Sequence, residues 1–393
     1  MEVDKIAGMD PMERTTLPAK DLILVLNSGS SSLKFGVYFR GENNGDEQPL
    51  LAGSAEGIGQ SSGTLRIQDA DGKSLLQVQQ VHESQSDALT SLTNAMREHI
   101  QNSPVGVGHR IVHGGPKLRQ HQRITAAVLN ELQASIHFAP LHIPQALALI
   151  KSAESIFPAA AQFACFDDAF HQTMPEVASH FAIPSRYFEA GIRRYGFHGI
   201  SYESLVHYFA DKLPQRAIFA HLGNGSSLCA LRDGKSIDTT MGLTPTGGIP
   251  MGTRSGDLDP GVILYLLRND KLNGDQLEEM LNRQSGLFAL SSGQSDVKLL
   301  EERASANDRD ATLALDVFAI SVRKTIGAYV SLLGGVDLLV FTGGIGEHSQ
   351  RIRGAATHGL ESLGLTADRI QVVPTQEERQ IARHCRALMN QGR

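Results

Sequence analysis

Two short segments of this chain read as the same piece of structure. LILVL (22–26), NSGSSS (27–32) and LKFGVYF (33–39) make an apolar strand-like run, a polar turn and an alternating run rich in β-formers. AIFAHL (217–222), GNGSS (223–227) and LCALRDGKSID (228–238) repeat that order, the last with an Asp-Gly turn signal. Gly-Ser-Ser-Ser-Leu begins at Gly29 and Gly-Ser-Ser-Leu at Gly225, an offset of 225 − 29 = 196, half of the 393 residues. A hairpin that recurs at half the chain length points to a duplicated architecture. A chain of 393 residues has room for two domains.

Between the hairpins, strands and helices alternate. The segment from Gly41 to Gln80 is polar with weak alternation and reads as loop or irregular strands. Helical periodicity covers 86–100, 124–136 and 143–155, and short strands are expected at 105–115, 163–167 and 336–341. TGGIGEHS (342–349) reads as a glycine loop, with a helix beginning at Arg351. Strand, glycine loop and helix N-terminus together present backbone N–H groups to an anion or nucleotide. The alternation predicts an α/β class.

Composition removes several function classes. The net charge is 36 − 42 = −6, which disfavours nucleic-acid and membrane-surface partners. An anionic substrate would then need a local group of Arg, His and backbone N–H donors. Cys165, Cys229 and Cys385 match no zinc or CxxC spacing and read as buried small hydrophobes in a reducing compartment. Residues 1–20 carry charges of both signs and read as a flexible extension rather than a signal peptide, with Met9 or Met12 as alternative starts. No apolar run reaches ~18 residues, so the expected location is the cytoplasm.

No P-loop, dinucleotide fingerprint or protein-kinase signature is present. Five polar, glycine-bearing turns remain. Asn27 to Lys34 suits phosphate binding or an ordinary hairpin turn. GHRIVHGG places Arg110 in an apolar run, either at a strand end or facing an anion. His109 and His113 are too far apart in an extended strand to form a metal pair. FDDAFHQTMP puts Asp167 just past a strand, a common Mg²⁺ or catalytic position, with Asp168 suited to a helix N-cap. RRYGFHGIS sets His198 in an accessible turn, and MGLTPTGGIPMGTRSGDLDPG (241–261) is a long loop bearing Arg254.

LVLNSGSSSLKF, GHRIVHGG, APLHIP (139–144), FDDAFHQTMP, RYGFHGIS, HLGNGSS, MGTRSGDLDPG and FTGGIGEHS, taken together and in this order, resemble the acetate kinase family. That family lies within the acetate and sugar kinase, Hsp70 and actin superfamily. The resemblance implies a duplicated, actin-like (ribonuclease H-like) α/β fold of two domains with a nucleotide cleft. It implies an N-terminal domain of residues 21–168 completed by about 376–393, on the acyl and Mg²⁺ side. Residues 169–375 would then form a C-terminal domain for nucleotide binding and homodimerisation. It implies reversible transfer of the ATP γ-phosphoryl group to acetate, giving acetyl phosphate and ADP, with Mg²⁺ as cofactor and Mn²⁺ as an alternative.

Carried over by position, Asn27 and Glu377 are the Mg²⁺-associated residues. Arg110 and Arg254 hold the carboxylate and the transferring phosphoryl group, His198 contacts that group, and Asp167 is the active-site acid. Val112, Leu141, His142, Phe197 and Pro245 surround the acyl group. The nucleotide is lined by Lys34, by His221, Leu222, Gly223, Asn224 and Gly225, by Asp296, Val297 and Lys298, and by Gly344, Ile345, Gly346, Glu347 and His348. Electrostatics explains the cationic set: two like charges 4 Å apart repel by ~1 kcal/mol in water and ~4 kcal/mol at an effective dielectric of 20. Four positions depart from the family pattern: His348 stands for Asn, Lys298 for Arg, Asp168 for Thr and Gly247 for Glu. Rival readings are a propionate or butyrate kinase, a glycerol or sugar kinase, and an ATP-driven binding module.

Overall fold

The computed structural model describes residues 21–29, 31–41 and 46–391. The expectation of a flexible extension at residues 1–20 lies outside the described residues. The first sheet holds β1 (Ile23–Ser28), β2 (Ser32–Arg40), β3 (Glu47–Glu56), β4 (Thr64–Asp69), β5 (Ser74–Gln79), β6 (Gly106–Ile111), β7 (Gln122–Arg123) and β8 (Ala161–Phe166). Its order is β5-β4-β3-β2-β1-β6-β8-β7. The second holds β9 (Arg216–Leu222), β10 (Ser226–Arg232), β11 (Lys235–Thr239), β12 (Leu338–Thr342) and β13 (Ile370–Val372), in the order β11-β10-β9-β12-β13.

Both sheets contain one motif. In the first, β3, β2 and β1 pair antiparallel, and β1 continues into parallel β6 and β8. In the second, β11, β10 and β9 pair antiparallel, and β9 continues into parallel β12 and β13. The repeated hairpin of the sequence is therefore the start of a repeated five-stranded unit. This is the duplicated two-domain α/β arrangement of the actin-like ATPase fold. The β10–β11 turn uses Asp233 and Gly234, both at positive φ (52° and 72°), as a tight hairpin of right-handed twist requires.

The stretch read as loop or irregular strands forms three strands at the sheet edge, with register shifts in the β2–β3 and β4–β5 pairings. Leu51, Ala55, Leu65 and Ile67 are buried with Ala88, Leu89 and Leu92 of the helix Gln85–Arg97. The other face of β3–β5 is wet, and pairing to β2 supplies the order that a strong apolar pattern would otherwise mark. The expected glycine loop at 342–349 also differs. Gly343–His348 forms a short helical turn, followed by a helix over Gln350–Thr357 that is capped by Ser349.

Two helices tie the sheets together. Gly199–Phe209 sends Ile200 into the core shared with Ile23 and Phe163, and Tyr202, Leu205 and Phe209 into the core around Phe219. The C-terminal helix Glu377–Gln391 docks on the first sheet through Ile381, Ala382 and Cys385. Gly108 makes that docking close: a Cβ there would lie 2.6 Å from both Cys385 Sγ and Ile381 Cγ2. In the second half, the helix Arg309–Leu333 buries Ala314, Phe318, Val322 and Ile326. Among the described residues no helix is long and apolar enough to cross a membrane. All three cysteines are free and buried.

Gly108→Ala should destabilise the protein by about 1–3 kcal/mol, the cost of overpacking a tight contact. Chemical denaturation would register this as a lower midpoint at unchanged slope.

Candidate active site

The site is built where the ends of β1, β6, β8 and β9 meet the starts of the two bridging helices. Asp167, immediately after β8, is fully buried. Its Oδ2 accepts from Arg110 Nη2 at 2.7 Å and from the His198 backbone N–H at 3.0 Å. Its carbonyl accepts from Gly199 N–H at 2.8 Å, and its own N–H donates to Ile111 O at 2.9 Å. Asp167 Oδ1 is buried without a protein partner. Arg110 sits near the end of β6, and Nη1 also reaches Ser28 O at 3.4 Å. Burial opposes its charge, but Asp167, Glu377 and Glu378 outweigh burial and raise its pKa.

His198 begins the helix Gly199–Phe209 at φ 59°, a left-handed conformation that a non-glycine residue holds only when its surroundings impose it. The two hydrogen bonds to Asp167 are that imposition. Its ring stacks on His221 with centroids 4.2 Å apart. Nδ1 lies 2.8 Å from Ser227 Oγ, which is 2.5 Å from Tyr202 Oη. Burial, helped by His221, Arg110 and Arg254, holds the His198 pKa well below the usual value. The imidazole is therefore a neutral hydrogen-bonding group rather than a cation.

Arg254 comes from the long loop and has no carboxylate partner among the described residues; Nη1 donates to Pro245 O at 3.1 Å. Burial and the neighbouring Arg110 lower its pKa to about 10, so it keeps its charge at neutral pH. A Cβ on Gly225 would lie 3.2 Å from His198 Nε2 and 3.4 Å from Arg254 Nη1. Two segments remote in sequence thus converge beside one glycine.

A cavity of about 920 Å³ opens alongside. Lys34, His221, Gly223, Asn224, Asp296, Val297, Lys298, Gly344, Ile345, His348 and Glu377 line it. Four of the expected nucleotide residues stand differently. Leu222 is turned into the second core, and Gly346 is buried beneath the loop. Glu347 Oε1 accepts from the backbone N–H of Gly343 at 3.0 Å and Thr375 at 3.2 Å, so it shapes the wall. Gly225 lies at the His198–Arg254 junction instead. Ser349, the last residue of TGGIGEHS, also lines the cavity, as do Ser295, Glu301 and Thr375, which no motif had marked.

Asn27 Nδ2 donates to Glu377 Oε2 at 3.0 Å and to Glu378 Oε1 at 2.8 Å, across 350 positions of chain. Burial pushes the Glu377 carboxyl upward. Glu378 escaped the sequence reading, although two adjacent glutamates at a helix start were its visible signal. On the acyl side, Val112 packs with Tyr195, Phe197, Met241 and Met251. Leu141, His142 and Pro245 line a neighbouring cavity of about 390 Å³. Asp168 does not cap its helical turn. It is buried 3.4 Å from His113 Nδ1, and burial pushes its carboxyl up to about 8. His109 is separately occupied with Gln162 Oε1 at 2.8 Å.

Burial lowers the pKa of His109, His113, His142, His171 and His221 to about 4. Below about 6.5 the unfolded chain binds more protons at each than the folded chain does. Stability should therefore fall as pH drops from about 6.5 toward about 4, by up to about 1.4 kcal/mol per pH unit for each histidine. The raised Asp168 offsets about one of the five over this interval. Urea midpoints measured at pH 7, 6 and 5 should decrease in that order; equal midpoints would contradict buried neutral imidazoles.

The chain resembles known proteins along nearly all of its length. The family model described as the acetokinase family matches residues 22–388. An acetate kinase of Nitrobacter hamburgensis is 41% identical, covering 94% of this chain and 96% of the relative. The crystal structure of Porphyromonas gingivalis acetate kinase superposes with a TM-score of 0.82 at 32% identity, over 94% of this chain and all of that one. A propionate kinase structure from Francisella tularensis gives 0.85 at 35% identity over the same shares. With its repeated sheet motif, its buried Arg110–Asp167–His198 junction and this coverage, the chain belongs to the acetokinase family.

Proposed function

We propose that the protein is an acetate kinase that transfers the γ-phosphoryl group of ATP reversibly to acetate, giving acetyl phosphate and ADP. The observation that supports this most directly is the convergence of His198 Nε2 and Arg254 Nη1 beside Gly225, at the edge of the large cavity. A carboxylate is already a nucleophile, so the chemistry needs no strong base. It needs two anions brought into contact, which is a matter of positioning and electrostatic stabilisation.

The two arginines have different parts. Arg110 is matched by Asp167 and is held in place to receive the acetate carboxylate. Arg254, without a carboxylate partner, brings the uncompensated charge and a planar fork for the transferring phosphoryl oxygens. In this reading Tyr202 donates to Ser227 Oγ and Ser227 to His198 Nδ1, the directions that the contacts of 2.5 and 2.8 Å allow. That chain leaves the His198 proton on Nε2, aimed as a donor at the developing charge. Asp167 acts by orienting Arg110 and the His198 backbone; it moves no proton. Lys34 approaches the phosphates from the first hairpin.

The donor set suits Mg²⁺ and, by the same chemistry, Mn²⁺. Asp167 Oδ1 is a buried orphan oxygen, and Glu377 and Glu378 are held together by Asn27. These are hard oxygens of the kind Mg²⁺ takes alongside water and phosphate. Glu377 would hold the ion, with Asn27 orienting the carboxylates; when bound, it neutralises phosphate charge.

Acetate is the expected acyl acceptor because the branched Val112 limits the depth of the pocket. The likeness to a propionate kinase supports a slower reaction with propionate as a second reading. A homodimer is also proposed. The helix Pro260–Arg268 buries no residue, and Val262, Leu264, Tyr265 and Leu267 are each at least 40% exposed, apolar side chains around the helix that a second copy would cover. Cytoplasmic location completes the proposal.

Purified protein with ATP, Mg²⁺, acetate and hydroxylamine should yield acetohydroxamate; no hydroxamate with acetate or propionate would overturn the enzyme reading. Arg254→Lys should lower kcat by about 10³-fold. Val112→Ala should raise the propionate-to-acetate ratio of kcat/KM by about 10-fold or more, since one methylene is worth ~1–3 kcal/mol.

A further inference from the structure

Behind the site, His121, Glu203 and His384 present ligand-type atoms within 4.8 Å of one another, on a cavity of about 400 Å³. Two histidines and a glutamate are a familiar zinc set. The hydrogen bonds argue against one here. His121 Nδ1 accepts from Phe166 N–H at 3.0 Å, which places the ring proton on Nε2; burial opposes the charged ring, but Glu203 outweighs burial and raises its pKa. Nε2 faces Glu203 at 3.2 Å. A metal on Nε2 would require the proton on Nδ1, against the Phe166 N–H. Glu203 Oε2 also takes His384 Nε2 at 2.8 Å. Burial works to raise the Glu203 carboxyl, but the His121 and His384 hydrogen bonds hold it down to about 2, so it is ionised.

Each arm of the cluster leads to a residue of the reaction centre. Phe166 immediately precedes Asp167. Glu203 is five residues into the helix that His198 begins, and His384 is seven beyond Glu377 on the C-terminal helix. We propose that Glu203 is a positioning residue: it fixes the Nε2–H tautomer of His121, so that His121 holds the strand end bearing Asp167, and through His384 it joins the helices that begin at His198 and Glu377. A carboxylate that selects a histidine tautomer is a well-established device of enzyme sites. Cys165, Asp167, Lys235 and Arg383 are the other titratable groups around the cluster.

The kinetic consequences rest on the proposed phosphoryl transfer; the tautomer does not, and can be read in the absence of activity. In the full-length protein, Glu203→Gln should lower kcat about tenfold or more, with the KM of acetate and ATP changed less than twofold. Long-range ¹⁵N–¹H spectra should show the His121 proton on Nε2 in the wild type and a mixture in E203Q. His121→Asn keeps an acceptor at the Nδ1 position, whereas His121→Gln keeps only a donor at the Nε2 position. H121Q should lose at least threefold more kcat than H121N, a comparison that stands even if E203Q fails to fold. Equal losses in the two His121 variants would overturn the proposal. So would an Nδ1–H tautomer in the wild type, or Co²⁺ absorption of a tetrahedral site on titration with that metal. A wild type that makes no acyl phosphate yet shows the Nε2–H tautomer would defeat the functional reading and leave the positioning geometry standing.

Discussion

One buried carboxylate, Asp167, holds the candidate site together. Through one oxygen it accepts from a guanidinium on β6 and a backbone N–H at the start of a helix, and its main chain binds both neighbours again. Breaking a buried pair of this kind costs about 3–5 kcal/mol, because the remaining charge is left uncompensated. That strength holds His198 in a left-handed conformation that its backbone would not choose. Gly199 permits the approach, since any side chain there would run into the Asp167 carbonyl.

Charge is distributed unevenly around this centre. Arg110 is neutralised by its own partner, while Arg254 has carbonyl and sulfur contacts and no carboxylate among the described residues. The surrounding imidazoles are kept neutral by burial. Among the described residues the site therefore offers a buried cation without a carboxylate, Arg254, and several oriented donors, a field suited to an anion. A cluster of mutually repelling cations would be harder to hold folded. The large cavity lies next to this point, and its walls are shaped by Glu347, which binds the backbone of both the glycine segment and Thr375.

Much of the architecture was legible in the chain. The hairpins at Gly29 and Gly225 announced the duplication, and Asp233-Gly234 announced its turn. The edge strands β3–β5 were not legible, because half their surface is wet and their order comes from pairing to β2. The segment after β12 was expected as a loop because of its glycines, yet its backbone closes into a helical turn on the β9 strand end. At the site, the motif residues marked which chemistry to look for. Glu378 and Tyr202 were found only as partners of residues already marked, and Ser227, though inside HLGNGSS, had been given no role.

Residue identity alone settled the family, the α/β class and the cationic, glycine-rich character of the site, because local turn chemistry and apolar runs are written within a few residues. Tertiary structure decided which arginine is paired, that His198 is uncharged, and that Asp168 faces His113 instead of capping a helix. Those properties depend on burial and on partners tens to hundreds of positions away. Asn27 meets Glu377 across 350 residues only because the C-terminal helix packs on Gly108 of the first sheet, and no local pattern encodes that contact.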